Sequence, residues 1–348
     1  MIKPLKVVGL ALAVVSAPLY AGNPQRVGEA GAAELLINPW SMNSGMNNAN
    51  VAGARGVEAI FMNVAGTAFT EGTEVAFSNT QWMVGADMAI NAFGLTQSVG
   101  QNGVLGLSLT NVNYGNIDVT TENMPDGGLG TFSPNATIIT GSYAQKFTET
   151  IYGGVNLKVF NQQLNNLSAT ALCIDAGVQY VTGSRKQIRF GINLKNIGPS
   201  VSFRGDGLDV PLTVPGEGNY TQSFQSRSAA FELPSTLNLG GAYDFDLGSD
   251  LRLTAMGTFN SNSFQKDEYH VGGEVAFQEK YMFRAGYIFF DNRIDGVQTN
   301  AFTGFASGLT VDLPLSEDDN TRFALDFSYR QTRAPFMGTY SAGLRVMF

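Results

Sequence analysis

From about residue 73 to its end the chain alternates apolar and polar side chains with a period of two, as strands do when their faces meet different surroundings. Leu172, Ile174, Ala176, Val178 and Tyr180 oppose Cys173, Asp175, Gly177 and Gln179, and Ile188, Phe190, Ile192 and Leu194 oppose Arg189, Gly191, Asn193 and Lys195. Further along, Tyr269, Val271, Val275 and Phe277 oppose His270 and Glu274, and Phe323, Leu325, Phe327 and Tyr329 oppose Arg322, Asp326 and Arg330. The final stretch sets Tyr340, Ala342, Leu344, Val346 and Phe348 against Ser341, Gly343, Arg345 and Met347. The pattern predicts about fourteen strands, near 73–81, 85–97, 103–112, 137–147, 150–160, 169–181, 187–196, 233–245, 251–259, 268–278, 281–290, 302–312, 322–330 and 339–348.

Across these strands no charge falls on the apolar face. A charge on a lipid-facing position costs about 2–4 kcal/mol at mid-bilayer, whereas a lumen tolerates it. The expectation is an all-β, transmembrane antiparallel β-barrel of about fourteen strands, facing outer-membrane lipid. A soluble sandwich also alternates, but with its polar face outward and fewer large aromatics near its strand ends. Predicted links after even-numbered strands are short, and those after odd-numbered strands are mostly longer, about 113–136, 161–168, 197–232, 261–267, 291–301 and 331–338. Barrels with short periplasmic turns and long outer loops show this parity, which puts both termini in the periplasm. The link near Trp82 to Gly85 is the exception.

Ahead of the barrel, residues 1–21 read as a signal peptide: Lys3 and Lys6 come first, Val7 to Val15 is apolar, and cleavage near Ala21-Gly22 would free the mature chain for the cell outer membrane. Residues 22–72 lack the two-residue period and are rich in Gly, Ala, Asn and Met. They are too apolar for a disordered tail. The preferred reading is a plug folded into the lumen of the 73–348 barrel, the alternative a periplasmic segment packed on its rim.

Composition supports the barrel: 41 Gly, 24 Phe, 12 Tyr, 14% charged residues and no later apolar run long enough for a membrane helix. A net charge of −8 with only 21 Lys and Arg argues against nucleic acid as a partner. Cys173, the single cysteine, rules out an intramolecular disulfide.

No catalytic constellation is readable, so an enzyme is not expected, and no cofactor motif stands out. His270, the only histidine, reads as a polar lumen residue. Ser316-Glu-Asp-Asp-Asn320 could attract calcium but lacks a recognised loop spacing, which favours a solvated acidic turn. Asp175, Arg189, Lys195, Asp244, Arg252, Glu274 and Arg284, with Lys158, Asp326 and Arg345, give the lumen both signs of charge, as expected of groups that pair with a plug. The long loops carry Phe203, Leu208, Val210, Leu212, Tyr220 and Phe224, a candidate partner surface or a cover over the mouth.

Five pieces in order, Asn113-Tyr-Gly-Asn-Ile-Asp-Val-Thr-Thr121, Gly130-Thr-Phe-Ser-Pro-Asn135, Ser142 to Lys158, Phe190-Gly-Ile-Asn-Leu-Lys-Asn-Ile-Gly-Pro199 and Leu233-Pro-Ser-Thr-Leu-Asn-Leu-Gly-Gly241, resemble the PorV/PorQ family of outer-membrane proteins, distant relatives of FadL-type transporters. The resemblance spans essentially the whole mature chain. It departs at Asn63-Val-Ala-Gly66, where relatives usually carry Asn-Pro-Ala-Gly. It implies a FadL-like barrel of the type IX secretion system of Bacteroidetes-like bacteria. Members either accompany the large translocon barrel and receive cargo C-terminal signal domains, or serve the machinery that attaches cargo at the cell surface. The rival expectation is a FadL-like channel for small hydrophobic ligands.

Overall fold

The computed structural model describes residues 23–214, 220–290, 293–294, 297–298, 300–315 and 321–348. The predicted signal peptide and the Ser316–Asn320 turn lie outside them. Fourteen antiparallel strands close a barrel: β1 Thr73–Trp82, β2 Met88–Val99, β3 Gly103–Asn113, β4 Asn135–Lys146, β5 Ile151–Leu164, β6 Leu167–Thr182, β7 Ile188–Ile197, β8 Thr236–Asp246, β9 Leu251–Asn262, β10 Glu268–Phe277, β11 Tyr281–Phe289, β12 Phe302–Pro314, β13 Arg322–Thr332 and β14 Thr339–Met347. β14 closes on β1, pairing Val346 with Val75 and Leu344 with Phe77. Phe348 continues the seam through reciprocal backbone bonds with Thr73, 2.9 and 3.3 Å long.

Register places like residues side by side on the outer wall. Phe77, Phe93, Leu109, Ile139, Val159 and Leu172 are successive cross-strand neighbours from β1 to β6, all exposed. Exposed large apolar groups over a charged interior invert the pattern of a water-soluble protein, which excludes the sandwich.

Two details of the predicted strands differ. The link expected over 161–168 shrinks to Asn165 and Asn166, because β5 and β6 continue as a hairpin whose outward Asn161 and Thr170 bond each other at 2.9 Å. Polarity suggested a loop where paired strands rise beyond the apolar band. β7 also holds a bulge: Ile197 pairs with Ile174 and Leu194 with Ala176, so Lys195 and Asn196 together oppose Asp175. Asn196 takes φ 59°, its N–H donates to Asp175 at 2.8 Å, and Lys158 Nζ donates to its Oδ1 at 2.9 Å. Two successive side chains therefore face inward, which alternation alone does not reveal.

Residues before β1 run through the barrel from end to end. Asn23 N–H bonds the Asn262 carbonyl, and Gly31 N–H the Glu232 carbonyl, both at the end that carries the long loops. Arg26 bridges Glu29 and Glu232 there, each at 2.7 Å. Gly72 and Thr73 lie at the opposite end, beside Phe348. The expectation that both termini share one side is therefore not met: the described N-terminal residues reach the long-loop end, because the plug threads the lumen.

What admits the thread is a ring of minimal side chains. Gly94, Gly106, Gly154, Gly177, Gly191, Gly240, Gly272, Gly286, Gly308 and Gly343 face inward from ten strands. The remaining four contribute Ser78, Ser142, Thr258 and Ser328, each directly beside a ring glycine. The plug follows the ring: Ser41 meets Gly343, Gly45 meets Gly308, Met46 meets Gly286, Ala49 meets Gly272, and Val51 meets Gly240 and Gly191. Val57, Ile60, Val64 and Asn63 then cover Gly94, Gly106, Gly154 and Gly177. Backbone lies on backbone, so a Cβ at Gly191 would stand 2.5 Å from the Val51 carbonyl oxygen. Overpacking of this kind costs about 1–3 kcal/mol. Gly191→Val is expected to leave a heat-modifiable barrel while amides of residues 41–54 exchange hydrogen at least about fivefold faster, read by mass spectrometry; unchanged exchange would show that the ring does not hold the plug.

Candidate functional site

The plug between residues 33 and 69 contains only three charged groups, Glu34, Arg55 and Glu58. Two are spent locally: the buried Glu58 carboxylate accepts from the Met42 and Asn43 backbone N–H groups at 3.1 and 3.0 Å, and Arg55 stacks over Phe69 at 4.5 Å. Glu34 accepts from Tyr114 and from Gln162, the latter at 2.8 Å. What remains for the wall to grip is backbone, and neutral side chains grip it. Asn156 Nδ2 donates to the Ile60 carbonyl at 2.8 Å, Thr258 to Ala49 at 2.9 Å, Gln179 to Ala54 at 3.1 Å, and Asn193 to Met62. Ser41 Oγ sits 2.6 Å from Ser341 Oγ and 3.0 Å from Ser78 Oγ. Asn47 is the densest anchor: its side chain bonds the Gly304 carbonyl and accepts from Arg330 Nε at 3.1 Å, and its carbonyl accepts from His270 Nδ1 at 2.6 Å.

Most of the predicted lumen charges pair along the wall instead. Lys158 meets Asp175 at 2.6 Å, Arg345 meets Asp326 at 2.7 Å, Arg252 meets Glu274 at 2.9 Å and Glu279 at 2.7 Å, and Arg284 meets Glu274 at 2.5 Å. Arg189 meets Asp244 and packs over Gly53 of the plug. Of the candidate lumen residues, His270, Lys195 and Arg189 touch the plug directly, Lys195 placing its Nζ 3.5 Å from the centre of the Phe61 ring. The reason is elementary. Buried charges need countercharges, and the plug has almost none to give. The plug-holding residues that the sequence reading missed, Asn156, Gln179, Asn193 and Thr258, were visible only as neutral polar members of inward faces.

The lumen is also less polar than expected. Ile90, Val112, Ile138, Phe160 and Cys173 face inward near the long-loop end and pack with Leu35 of the plug and with Val201 and Leu233 of the loop after β7. Beside this apolar layer lies a cavity of about 200 Å³ bordered by Phe61, Trp82, Lys195, Asn260, Glu268, His270, Phe302 and Arg330. All but Phe61 come from the long-loop ends of strands.

The loop between β7 and β8 divides the six apolar candidates. Phe203 folds inward, its ring 5.7 Å from Phe231, while the Val201–Phe231 bridge fastens the segment to itself and the Ser168–Arg204 bridge to β6. Leu208 is half-buried. Beyond it, Asp209–Val214 pairs with Tyr220–Gln225 as a hairpin outside the barrel. Val210 opposes Phe224, Leu212 opposes Gln222 and Val214 opposes Tyr220, so one face is apolar except at Gln222. The other face carries Asp209, Pro211, Thr213, Thr221, Ser223 and Gln225. Val210, Leu212, Tyr220 and Phe224 are 45–57% exposed. Together these four side chains make an exposed apolar patch on the hairpin.

Known proteins agree on the architecture. The barrel is similar to the "CymD monoaromatic hydrocarbon channel" (TM-score 0.53, 13% identity) and to the toluene transporter TodX of Pseudomonas putida (TM-score 0.53, 12%). Each likeness covers 89% of this chain and 97% of the other. A FadL homologue from Pseudomonas aeruginosa is similar at TM-score 0.50 and 11% identity, over 89% and 96% of the two chains. At these identities the likeness is one of fold. No curated protein matches the chain. The family that does match is described as "Type IX secretion system membrane protein PorP/SprF", over residues 129–329. That name differs from the narrower PorV/PorQ resemblance and meets it at the level of a type IX secretion outer-membrane barrel. More than half of the residues are matched, and the chain belongs to the PorP/SprF family of type IX secretion system membrane proteins.

Proposed function

We propose that this outer-membrane barrel serves type IX secretion by binding a protein rather than by conducting a solute, with the apolar face of the 209–225 hairpin as its contact surface. The observation that carries the reading is the combination of a threaded lumen and an exposed, one-sided hairpin. The partner is the large translocon barrel or the C-terminal signal domain of a cargo protein, engaged during export or surface attachment, as in the PorV/PorQ-like roles. Long loops then face the cell exterior and Phe348 the periplasm, after cleavage of the signal peptide near Ala21-Gly22.

The fold neighbours favour a second reading, a channel for small hydrophobic ligands, since two of them are a monoaromatic hydrocarbon channel and a toluene transporter. Such a channel needs a plug that yields. Here the plug backbone is seated on the wall from Ser41 to Val64.

The double variant Val210→Asn with Leu212→Asn is expected to lower recovery of the co-purifying translocon or cargo protein from native membranes at least about tenfold, since each buried aliphatic side chain contributes about 1.5–3 kcal/mol. The barrel itself should remain heat-modifiable. Wild-type protein that emerges alone, with bound hydrocarbon and no protein partner, would favour the channel. For orientation, a cysteine at the exposed Val27 is expected to react with a membrane-impermeant maleimide on intact cells, Cys173 being buried. Labelling only after lysis would place the long loops inside.

A further inference from the structure

The cavity beside the plug has an unbalanced charge. The regular alternation of β7 turns Lys195 inward and the bulge sets Asn196 beside it, but the carboxylate that Lys195 faces, Asp175, is already taken by Lys158 at 2.6 Å. Lys195 is 7% exposed and, among the described residues, has no hydrogen-bonded or ion-paired partner; its ammonium rests on Phe61. Arg330 borders the same space, with its guanidinium over Phe302 at 4.2 Å and its Nε bonded to the neutral Asn47. Against these two cations the lining offers, among the described residues, one carboxylate, Glu268, which sits 3.3 Å from His270 Nε2. Asn260 Oδ1 is buried without a hydrogen-bond partner, and His270 Nε2, although 3.3 Å from the Glu268 carboxylate, makes no hydrogen bond to it. Buried polar atoms left without partners mark a space that is occupied by water or ligand.

We propose that this cavity binds a small oxyanion, a carboxylate or phosphate group on a compact molecule, entering from the long-loop end. Lys195 and Arg330 supply the countercharge, and the unfilled acceptors Asn260 Oδ1 and His270 Nε2 take a hydrogen donated from elsewhere on the molecule. A cation held on an aromatic ring keeps part of its field for a second partner, and charge-assisted bonds in so dry a site are short and strong. The volume, about 200 Å³, suits a molecule of roughly ten heavy atoms and excludes a long acyl chain. This site is independent of the hairpin surface.

Trp82 lines the cavity and reports on it, whereas Trp40 is buried in the plug against Gly94. The probe is 4-bromobenzoate, whose bromine quenches indole fluorescence, titrated into the purified full-length barrel in detergent, with the uncharged 4-bromobenzyl alcohol as control. Saturable quenching by the acid and not by the alcohol is expected, absent in Trp82→Phe. Affinity should fall about tenfold in Lys195→Gln and be kept in Lys195→Arg, both checked for heat-modifiable migration. Displacement by benzoate alone assigns a carboxylate; displacement by inorganic phosphate as well extends the site to phosphate groups. Linear quenching, equal binding of the alcohol, or an affinity unchanged in folded Lys195→Gln would overturn the proposal.

Discussion

Direct seating of the plug backbone on a ring of glycines and small hydroxyl residues is the constraint on which the rest of this molecule depends. A fourteen-stranded barrel lined with ordinary side chains would leave room for solvent or for side-chain layers, not for a polypeptide laid against the wall. Removing the Cβ from ten of fourteen strands at one level opens that room. Val51, Met46 and Gly45 then pack against strand backbone. Close packing is also what makes the arrangement single-valued, because an interior at protein density transmits small overlaps rather than absorbing them.

From the same constraint follows the division of labour among polar groups. A plug with three charges between residues 33 and 69 cannot neutralise a charged wall, so the wall neutralises itself through Lys158–Asp175, Arg345–Asp326 and the Arg252–Glu274–Arg284 cluster. Neutral amides and hydroxyls, which lose less on burial than ions do, are left to hold the plug carbonyls. Lys195 stands apart because the bulge brings Asn196 in beside it and the neighbouring carboxylate is already engaged with Lys158.

Much of this could be read in the sequence. Strand number and facing follow from the period of two, since Leu172 to Tyr180 or Phe323 to Tyr329 can hide from water on only one side. The ring glycines were in view on predicted inward faces, Gly177 and Gly191 among them, but alternation does not say what a missing side chain makes room for. Other features depend on contacts distant in sequence. The Asn196 bulge needs Asp175 and Lys158, the inward turn of Phe203 needs Phe231, and the side on which Asn23 emerges needs Asn262. Asn161 to Ser168 misled for a different reason: polar residues mark exposure, and a hairpin rising beyond the lipid band is as exposed as a loop.

Ionic conductance of the unaltered protein in planar lipid bilayers tests the seated plug most directly. A backbone fixed to the ring predicts a closed barrel, with no resolved open level in the wild type and a large, steady one when residues 33–69 are replaced by a short flexible linker. A wild type that opens spontaneously to the level of the plug-less form would contradict it.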